Sequence, residues 1–189
     1  MKNLVRPAQL ADLGRIQEIY SYAREFMAKH GNPNQWGKTY PPTKQIKRDI
    51  AEGKLFAITD GQIIHGVFFF WIGPDPTYRI IDGTWRSDSP YGTIHRIAGD
   101  GSGGILKTAV AFAEERIGHL RMDTHEDNRV MQSALAKLGF QPSGMIHLED
   151  GSPRIAYDYL KMDERHSFPY SGTWKCEEGT TERPRLMSR

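Results

Sequence analysis

Apolar residues near the start of the chain recur with the period of an amphipathic helix. The stripe consists of Leu13, Ile16, Tyr20, Ala23 and Met27. Spacings of three and four residues place these side chains on one face, so the pattern predicts a helix over residues 9–29. Gly31 and Pro33 end that helix, and a shorter apolar pattern predicts a second helix over residues 43–52.

Short apolar runs bounded by turn residues predict strands. Asp60-Gly61 and Asp150-Gly151 each separate two such runs, and an Asp-Gly pair in this setting is a strong hairpin signal. The run from Phe68 to Trp71 predicts a strand that is covered on both faces. The two predicted hairpins comprise residues 55–58 with 63–71 and residues 144–149 with 154–160. One further strand is predicted over residues 79–82, within a long irregular connection.

The central stretch from Thr93 to Phe140 combines a strand, a glycine loop and two helices. The strand covers residues 93–98, the loop runs from Gly99 to Gly104, and a helix with apolar residues at every fourth position begins at Ile105. Glycines can adopt positive φ and let backbone N–H groups converge on an anion at the positive end of a helix. This stretch therefore predicts a site for a phosphate-bearing cofactor.

Two common phosphate-binding motifs partly match the loop. Gly99, Gly101 and Gly104 spell G-x-G-x-x-G, with Asp123 near the position of a ribose-binding acid, as in dinucleotide-binding domains. The segment GSGGILKT approaches a P-loop, but Leu106 stands where the glycine before the lysine is required. After Asp123 the chain supplies only one helix, one hairpin and a polar tail. That layout is too short for either a dinucleotide domain or a P-loop enzyme.

A third interpretation takes in the residues on both sides of the loop. It rests on three runs of sequence. They are the start Val5-Arg6-Pro7-Ala8, the later run DTHEDNRVMQSALAKLGF, in which Asn128 is followed by Gly139-Phe140, and the run YGTIHRIAGDG. Over about residues 3–160 the chain resembles the GNAT superfamily of N-acetyltransferases, and the last run is similar to one subgroup of small bacterial members. The resemblance implies an α/β (α+β) fold, with a mixed, mostly antiparallel sheet flanked by helices and two strands splayed apart for the cofactor.

The resemblance also implies a function. We expect residues 1–162 to form an acetyltransferase domain that moves an acetyl group from acetyl-CoA to a primary amine of a small molecule by direct attack. Residues 163–189 are expected to be a polar tail. The alternatives are a non-catalytic sensor that binds acyl-CoA and a dinucleotide-binding protein.

Cofactor contacts are expected along the central strand, the glycine loop and the start of the following helices. The backbone near Ile97 would bind the thioester oxygen if the strand bulges there, and Asn128 corresponds to a residue that contacts the pantetheine arm in the family. Leu106 departs from the family pattern, in which a small residue is usual. The expected cofactor residues are Ile97, Ala98, Gly101, Ser102, Gly103, Gly104, Ile105, Leu106, Lys107, Asn128 and Met131.

The acid that usually protonates the leaving thiolate is missing. Family members often have tyrosine seven residues after the asparagine, and this chain has Leu135. His95, His125 and Tyr157 are the candidates to replace it or to accept the proton of the amine, because histidine exchanges protons near neutrality. Each histidine could equally be structural.

Four residues in the two irregular segments around the first hairpin are candidates for the acceptor site. Trp36 and Tyr40 follow the first helix, and Asp82 and Trp85 lie in the long connection. Converging opposite the cofactor loop, they would form aromatic walls with one carboxylate, which suits a small cationic amine. The alternative is that the tryptophans fill the core.

Composition narrows the class of protein. The chain has 189 residues, a formal charge of +2 and 38% hydrophobic residues, as expected for one soluble globular domain. Acidic and basic residues are interspersed, which argues against a nucleic acid partner. No apolar run would span a membrane and no signal segment is evident, so a cytoplasmic protein without a membrane partner is expected. Cys176 has no partner for a disulfide or a metal site, no metal is expected, and a homodimer is left open.

Overall fold

The computed structural model describes residues 3–161. The polar tail expected over residues 163–189, including Cys176, lies outside the described residues. The strands are β1 (Leu4–Pro7), β2 (Leu55–Thr59), β3 (Ile64–Ile72), β4 (Asp82–Gly83), β5 (Gly92–Gly99), β6 (His119–Thr124), β7 (Gln141–His147) and β8 (Pro153–Leu160). The helices are α1 (Leu13–Lys29), α2 (Thr43–Ala51), α3 (Ile105–Glu114) and α4 (Arg129–Lys137).

The strands form one sheet in the order β1-β2-β3-β5-β6-β8-β7-β4. Neighbouring strands are antiparallel except for β5 and β6, which are parallel. That parallel pairing is short: Gly92 faces Leu120 and Thr93 faces Arg121, and the two strands then separate. The mixed, mostly antiparallel sheet with one splayed pair of strands is therefore confirmed.

Alternating side chains of the strands pack in two hydrophobic clusters, one on each face of the sheet. On one face, Ala57 and Val67 pack with Ile16 and Tyr20 of α1 and with Ile46 of α2. On the other face, a second cluster joins strand residues to α3 and α4, and it includes Ile58, Phe68, Phe70, Ala109, Val110 and Leu135. Because α1 and α2 cover one face while α3 and α4 cover the other, the opening between β5 and β6 connects the two sides of the sheet.

Several boundaries differ from the sequence prediction for local reasons. The expected strand over residues 79–82 is reduced to Asp82–Gly83, because a 3-10 turn over Pro76–Tyr78 comes first and the Asp75 side chain caps it by accepting a hydrogen bond from the Thr77 amide at 2.9 Å. Trp71 is 41% exposed, so β3 is covered on both faces only up to Phe70. Within residues 3–161 no helix combines the length and the apolar character needed to cross a membrane.

Candidate active site

A cleft of about 1540 Å³ opens where β5 and β6 separate. Its walls come from β5, the glycine loop, the end of β6, the start of α4, the segment between α1 and α2, and the turn between β7 and β8. The cleft therefore gathers residues from both faces of the sheet at the splayed pair of strands.

A bulge distorts β5 inside this cleft. Val67 of β3 pairs with Ala98 and Phe69 pairs with His95, so Arg96 and Ile97 together stand opposite a single residue, Phe68. Arg96 has φ 48°, a left-handed conformation that residues other than glycine rarely adopt. An extra residue of this kind leaves backbone groups outside the ladder. Ile97, the second residue of the bulge, lines the cleft.

Buried contacts hold the bulge in place. The Tyr20 hydroxyl donates to the Arg96 carbonyl at 3.0 Å. The Arg96 guanidinium donates to Asp49 of α2 at 2.8 Å and lies 4.4 Å from the centre of the Phe69 ring. The free-energy cost of the left-handed residue, about 1–3 kcal/mol, is thus offset by neighbours on α1, α2 and β3.

The glycine loop joins this strand to α3. Gly101, Gly103 and Gly104 have φ of 94°, 82° and 72°, so the turn into the helix depends on positive φ. Asp100 anchors the loop: its carboxylate accepts from the Ser102 amide at 3.1 Å and from the Arg15 guanidinium at 2.7 Å. His65 contacts the same carboxylate at 3.0 Å. The loop amides are therefore presented from a fixed scaffold at the positive end of a helix dipole.

His95 lies between two carboxylates at the floor of the cleft. Its Nε2 is 3.0 Å from Asp75 Oδ2 and its Nδ1 is 3.4 Å from Asp123 Oδ2. The Tyr78 hydroxyl donates to the same Asp123 oxygen at 2.9 Å. All four groups are mostly buried, so their interactions are weakly screened by solvent.

Ionisation in this cluster follows from burial and pairing. Burial alone would raise the pKa of Asp75, but the hydrogen bond with His95 and the charge of that ring outweigh it, and the pKa falls to about 2. Burial, with the neighbouring Asp123 and Asp75 charges, raises the pKa of Tyr78 well above its ordinary value. Asp75 is therefore an anion at neutral pH, and Tyr78 keeps its proton as a donor to Asp123.

Comparison with solved structures identifies the fold. An acetyltransferase of the GNAT family from Streptococcus agalactiae 2603 is 30% identical in sequence, with a TM-score of 0.75, over 85% of this chain and 96% of that one. The chain belongs to the GNAT family of acetyltransferases. No family model and no curated protein matches the chain.

More distant structures share the GNAT fold. A GNAT-family acetyltransferase from Listeria monocytogenes 4b F2365 is 20% identical over 84% of this chain and 94% of its own, with a TM-score of 0.62. The protein yncA from Salmonella typhimurium, whose structure contains its cofactor acetyl-CoA, is 15% identical over 90% of this chain and 99% of its own, with a TM-score of 0.54. At these identities the likeness concerns the fold alone.

Most residues expected to bind the cofactor of a GNAT protein line the cleft. They are Ile97, Ala98, Gly101, Gly103, Ile105, Leu106, Asn128 and Met131. Ser102, Gly104 and Lys107 are exposed and do not line it. The structure thus brings together the bulge, the inner side of the loop and the start of α4, and it leaves the Lys107 side chain outside.

Asn128 has two structural partners. Its Oδ1 accepts from the Met131 amide at 3.1 Å and so caps α4, while its Nδ2 donates to Gln35 Oε1 at 2.9 Å. Gln35 in turn accepts from Asn32 at 2.7 Å. The pair joins the segment after α1 to α4 across the cleft. Gln35 was not predicted as a site residue, because it lies in an irregular segment without periodicity.

Only one of the three proton-transfer candidates lines the cleft. His95 does, whereas His125 lies in the turn before α4, where its Nδ1 accepts from the Asp127 amide at 3.2 Å. Tyr157 is 6% exposed and belongs to the core on the α3 and α4 side. Leu135 is fully buried in that same core.

The acceptor candidates divide into two pairs. Trp36 and Tyr40 line the cleft, and Trp36 also packs edge-on against Tyr20 with ring centres 5.7 Å apart. Asp82 is exposed in β4, which pairs with β7 at the far edge of the sheet. Trp85 packs 5.3 Å from the Tyr78 ring in a separate small core.

The structure therefore does not bring Asp82 and Trp85 to the cleft, in contrast to the expected convergence. The pairing of β4 with β7 carries that part of the connection past β6 and β8. The carboxylates that do reach His95 are Asp75 and Asp123. Asp75 escaped notice because it stands in an irregular stretch without periodicity.

Proposed function

We propose that this protein transfers the acetyl group of acetyl-CoA to the primary amine of a small molecule by direct attack. Membership of the GNAT family supports the reaction class. The observation that carries the proposal is the bulge at Arg96 and Ile97 in the wall of the cleft beside His95, and we propose that the Ile97 amide at this bulge binds the thioester oxygen. Amides fixed in this way stabilise developing negative charge on a carbonyl oxygen.

The chemistry of the cleft residues fits acetyl-CoA. The loop amides from Gly101 to Leu106 suit a pyrophosphate, and yncA, which shares the fold, has acetyl-CoA as its cofactor. The Thr124 hydroxyl lines the cleft and is buried without a hydrogen-bond partner among the described residues. An amide of the pantetheine arm would satisfy it. Acetyl-CoA supplies the thioester, and the protein binds, orients and exchanges protons.

His95 has the geometry of the proton acceptor for the attacking amine. We propose that the neutral ring carries its proton on Nε2, toward Asp75, so that Nδ1 accepts the proton of the amine. Asp123, 3.4 Å from Nδ1, stabilises the ring once it is charged, and it attracts the ammonium form of the substrate. Because Leu135 replaces the usual tyrosine, we propose that the thiolate leaves without a dedicated acid.

Calorimetry with acetyl-CoA, CoA, NAD and ATP, followed by a thiol-release assay on a panel of amines, tests this function. We expect acetyl-CoA and CoA to bind and one class of amine to be acetylated. Binding of NAD or ATP without CoA would contradict the assignment. Tight binding of acetyl-CoA without turnover on any amine would favour the sensor, for which the buried Leu135 is the supporting observation.

A matched pair of glycine variants locates the phosphate site. In Gly101→Ala the added methyl would lie 2.5 Å from the Tyr22 hydroxyl, which can turn aside, but alanine is strained at the positive φ of 94°, so we expect the loop backbone to change. Loss of one hydrogen bond to a charged phosphate should weaken acetyl-CoA binding by about 10- to 100-fold. Gly61→Ala is the control, because Gly61 also has positive φ but lies in the β2–β3 turn with open space around it. Equal effects of both variants would exclude this loop as the phosphate site.

A further inference from the structure

Arg154 is a buried arginine in the wall of the cleft. It is 6% exposed, and arginine is rarely buried to this extent without an acidic partner. Within residues 3–161 no carboxylate oxygen lies within 4.0 Å of its side-chain nitrogens. Its Nη1 donates to the Pro153 carbonyl at 2.7 Å, which leaves most of its five N–H donors for a ligand.

The register of the sheet places Arg154 on the same face as the His95 cluster. Asp123 of β6 stands opposite Ala156 of β8. Residues two apart on a strand share a face and lie about 7 Å apart along it, so Arg154 follows Ala156 on that face. Arg154 and Asp123 therefore lie on the same face of the sheet within the cleft, opposite the face on which α3 and α4 pack.

No carboxylate of residues 3–161 is bonded directly to Arg154. Glu149 and Asp150 also line this end of the cleft, in the turn between β7 and β8. The Asp150 carboxylate accepts from the Ser152 hydroxyl at 2.5 Å and from the Ser152 amide at 2.9 Å; these two hydrogen bonds lower its pKa, and the more distant charge of Arg154 contributes a smaller part. Asp123 lines another part of the cleft beside His95, and Asp75 lies on the other side of that ring. Arg154 and the acidic pair around His95 are therefore separate charged regions of the site.

We propose that the amine acetylated by this protein also carries a carboxylate, and that Arg154 binds it. The planar guanidinium fork matches a carboxylate with two parallel hydrogen bonds. The ammonium end of the substrate would lie toward Asp75 and Asp123, where His95 takes its proton. The acceptor is therefore a small amino acid or a compound with the same pair of groups. This inference rests on the proposed function and narrows its substrate class.

The test compares amino acids with their C-terminal amides as acceptors in the thiol-release assay. For the wild-type protein we expect the acid of a preferred pair to have the higher kcat/KM. Arg154→Gln should lower kcat/KM for the acid by about 10- to 150-fold, the factor supplied by hydrogen bonds to a charged group, and should leave the amide nearly unchanged. Arg154→Lys should restore part of the preference. Arg79→Gln is the control, because Arg79 is exposed and lies outside the cleft.

Equal use of acid and amide by the wild-type protein would overturn the proposal, as would equal losses for both in Arg154→Gln. Weaker acetyl-CoA binding in Arg154→Gln with unchanged acceptor preference would overturn it too, since Arg154 would then serve a cofactor phosphate. If no amine is acetylated at all, the proposed function fails, and calorimetry with N-acetylated amino acids and their amides decides the anion site separately. Tighter binding of the acids, lost in Arg154→Gln, supports the site, and no preference refutes it.

Discussion

Two substitutions of His95 should separate its chemical role from its structural one. Gln keeps an N–H donor near the position of Nε2, so His95→Gln should preserve the hydrogen bond to Asp75. It removes the nitrogen that accepts the proton. His95→Ala removes both functions and leaves Asp75 and Asp123 buried without the ring between them.

The expected loss of stability in His95→Ala follows from the pKa of Asp75. Burial raises that pKa, the contact with His95 lowers it by a larger amount, and the net change is a fall from 3.8 to about 2. Each pKa unit corresponds to about 1.4 kcal/mol, so the pairing contributes about 2 kcal/mol to the free energy of unfolding at neutral pH. In a chain of this size that corresponds to a fall of about 4–8 °C in Tm.

The pH dependence of this contribution has a defined sign. The pKa of Asp75 is lower in the folded state, so its contribution is present above pH 3.8 and is lost as the pH falls toward 2. The difference in stability between the wild-type protein and His95→Ala should therefore be constant near neutrality and shrink below pH 4. His95→Gln should remain close to the wild-type stability throughout.

Catalysis should respond differently from stability. Both variants should lose about 10²- to 10⁴-fold in kcat, the usual contribution of general acid–base catalysis, with little change in acetyl-CoA affinity. Thermal melting from pH 2 to pH 7, calorimetry and the thiol-release assay measure the three quantities. His147→Gln serves as the control, because His147 is an exposed residue of β7 outside the cleft. A kcat for His95→Gln within threefold of the wild type would exclude His95 as the proton acceptor.

Two further substitutions test the core and the loop anchor. Leu135→Tyr should lower the free energy of unfolding by about 1–3 kcal/mol without raising kcat, because Leu135 is fully buried and the larger ring overpacks the core. A variant with unchanged stability and a higher kcat would show instead that the tyrosine hydroxyl reaches the cleft. His65 contacts Asp60 and Asp100, which raises its pKa above 6.5, so its contribution to stability is full below that pH and is lost as the pH rises through the folded pKa. Melting of His65→Gln should lack this loss as the pH rises above 6.5, and an unchanged profile would contradict the assignment.

The parts of the site that the sequence predicted are those set by local conformation. The glycine loop follows from positive φ at the turn into α3, and it depends only on residues within that turn. The Asp-Gly hairpins are local in the same sense. The splayed pair of strands was predicted from the family resemblance and not from hydrophobic periodicity.

The parts that the sequence did not predict depend on pairing between distant strands. Asp75 and Asp123 come together at His95 from segments 48 residues apart in the numbering, and only the sheet order β3-β5-β6 brings them close. Trp85 was expected in the wall of the acceptor site. Because β4 pairs with β7, Trp85 instead packs in the small hydrophobic cluster around Tyr78. Arg154 carried no signal, because burial without a partner is a property of the folded chain.

The bulge in β5 explains why strand periodicity alone could not define this site. In a regular strand His95 and Arg96 would point to opposite faces. Here His95 contacts Asp75 while Arg96 reaches Asp49 of α2, and both residues line one smaller pocket beside the main cleft. The left-handed Arg96 thus brings two consecutive side chains to the same pocket. The strained conformation of Arg96 costs about 1–3 kcal/mol of free energy, and its buried contacts with Tyr20 and Asp49 offset that cost. The same contacts therefore hold the bulge in the conformation that shapes this pocket.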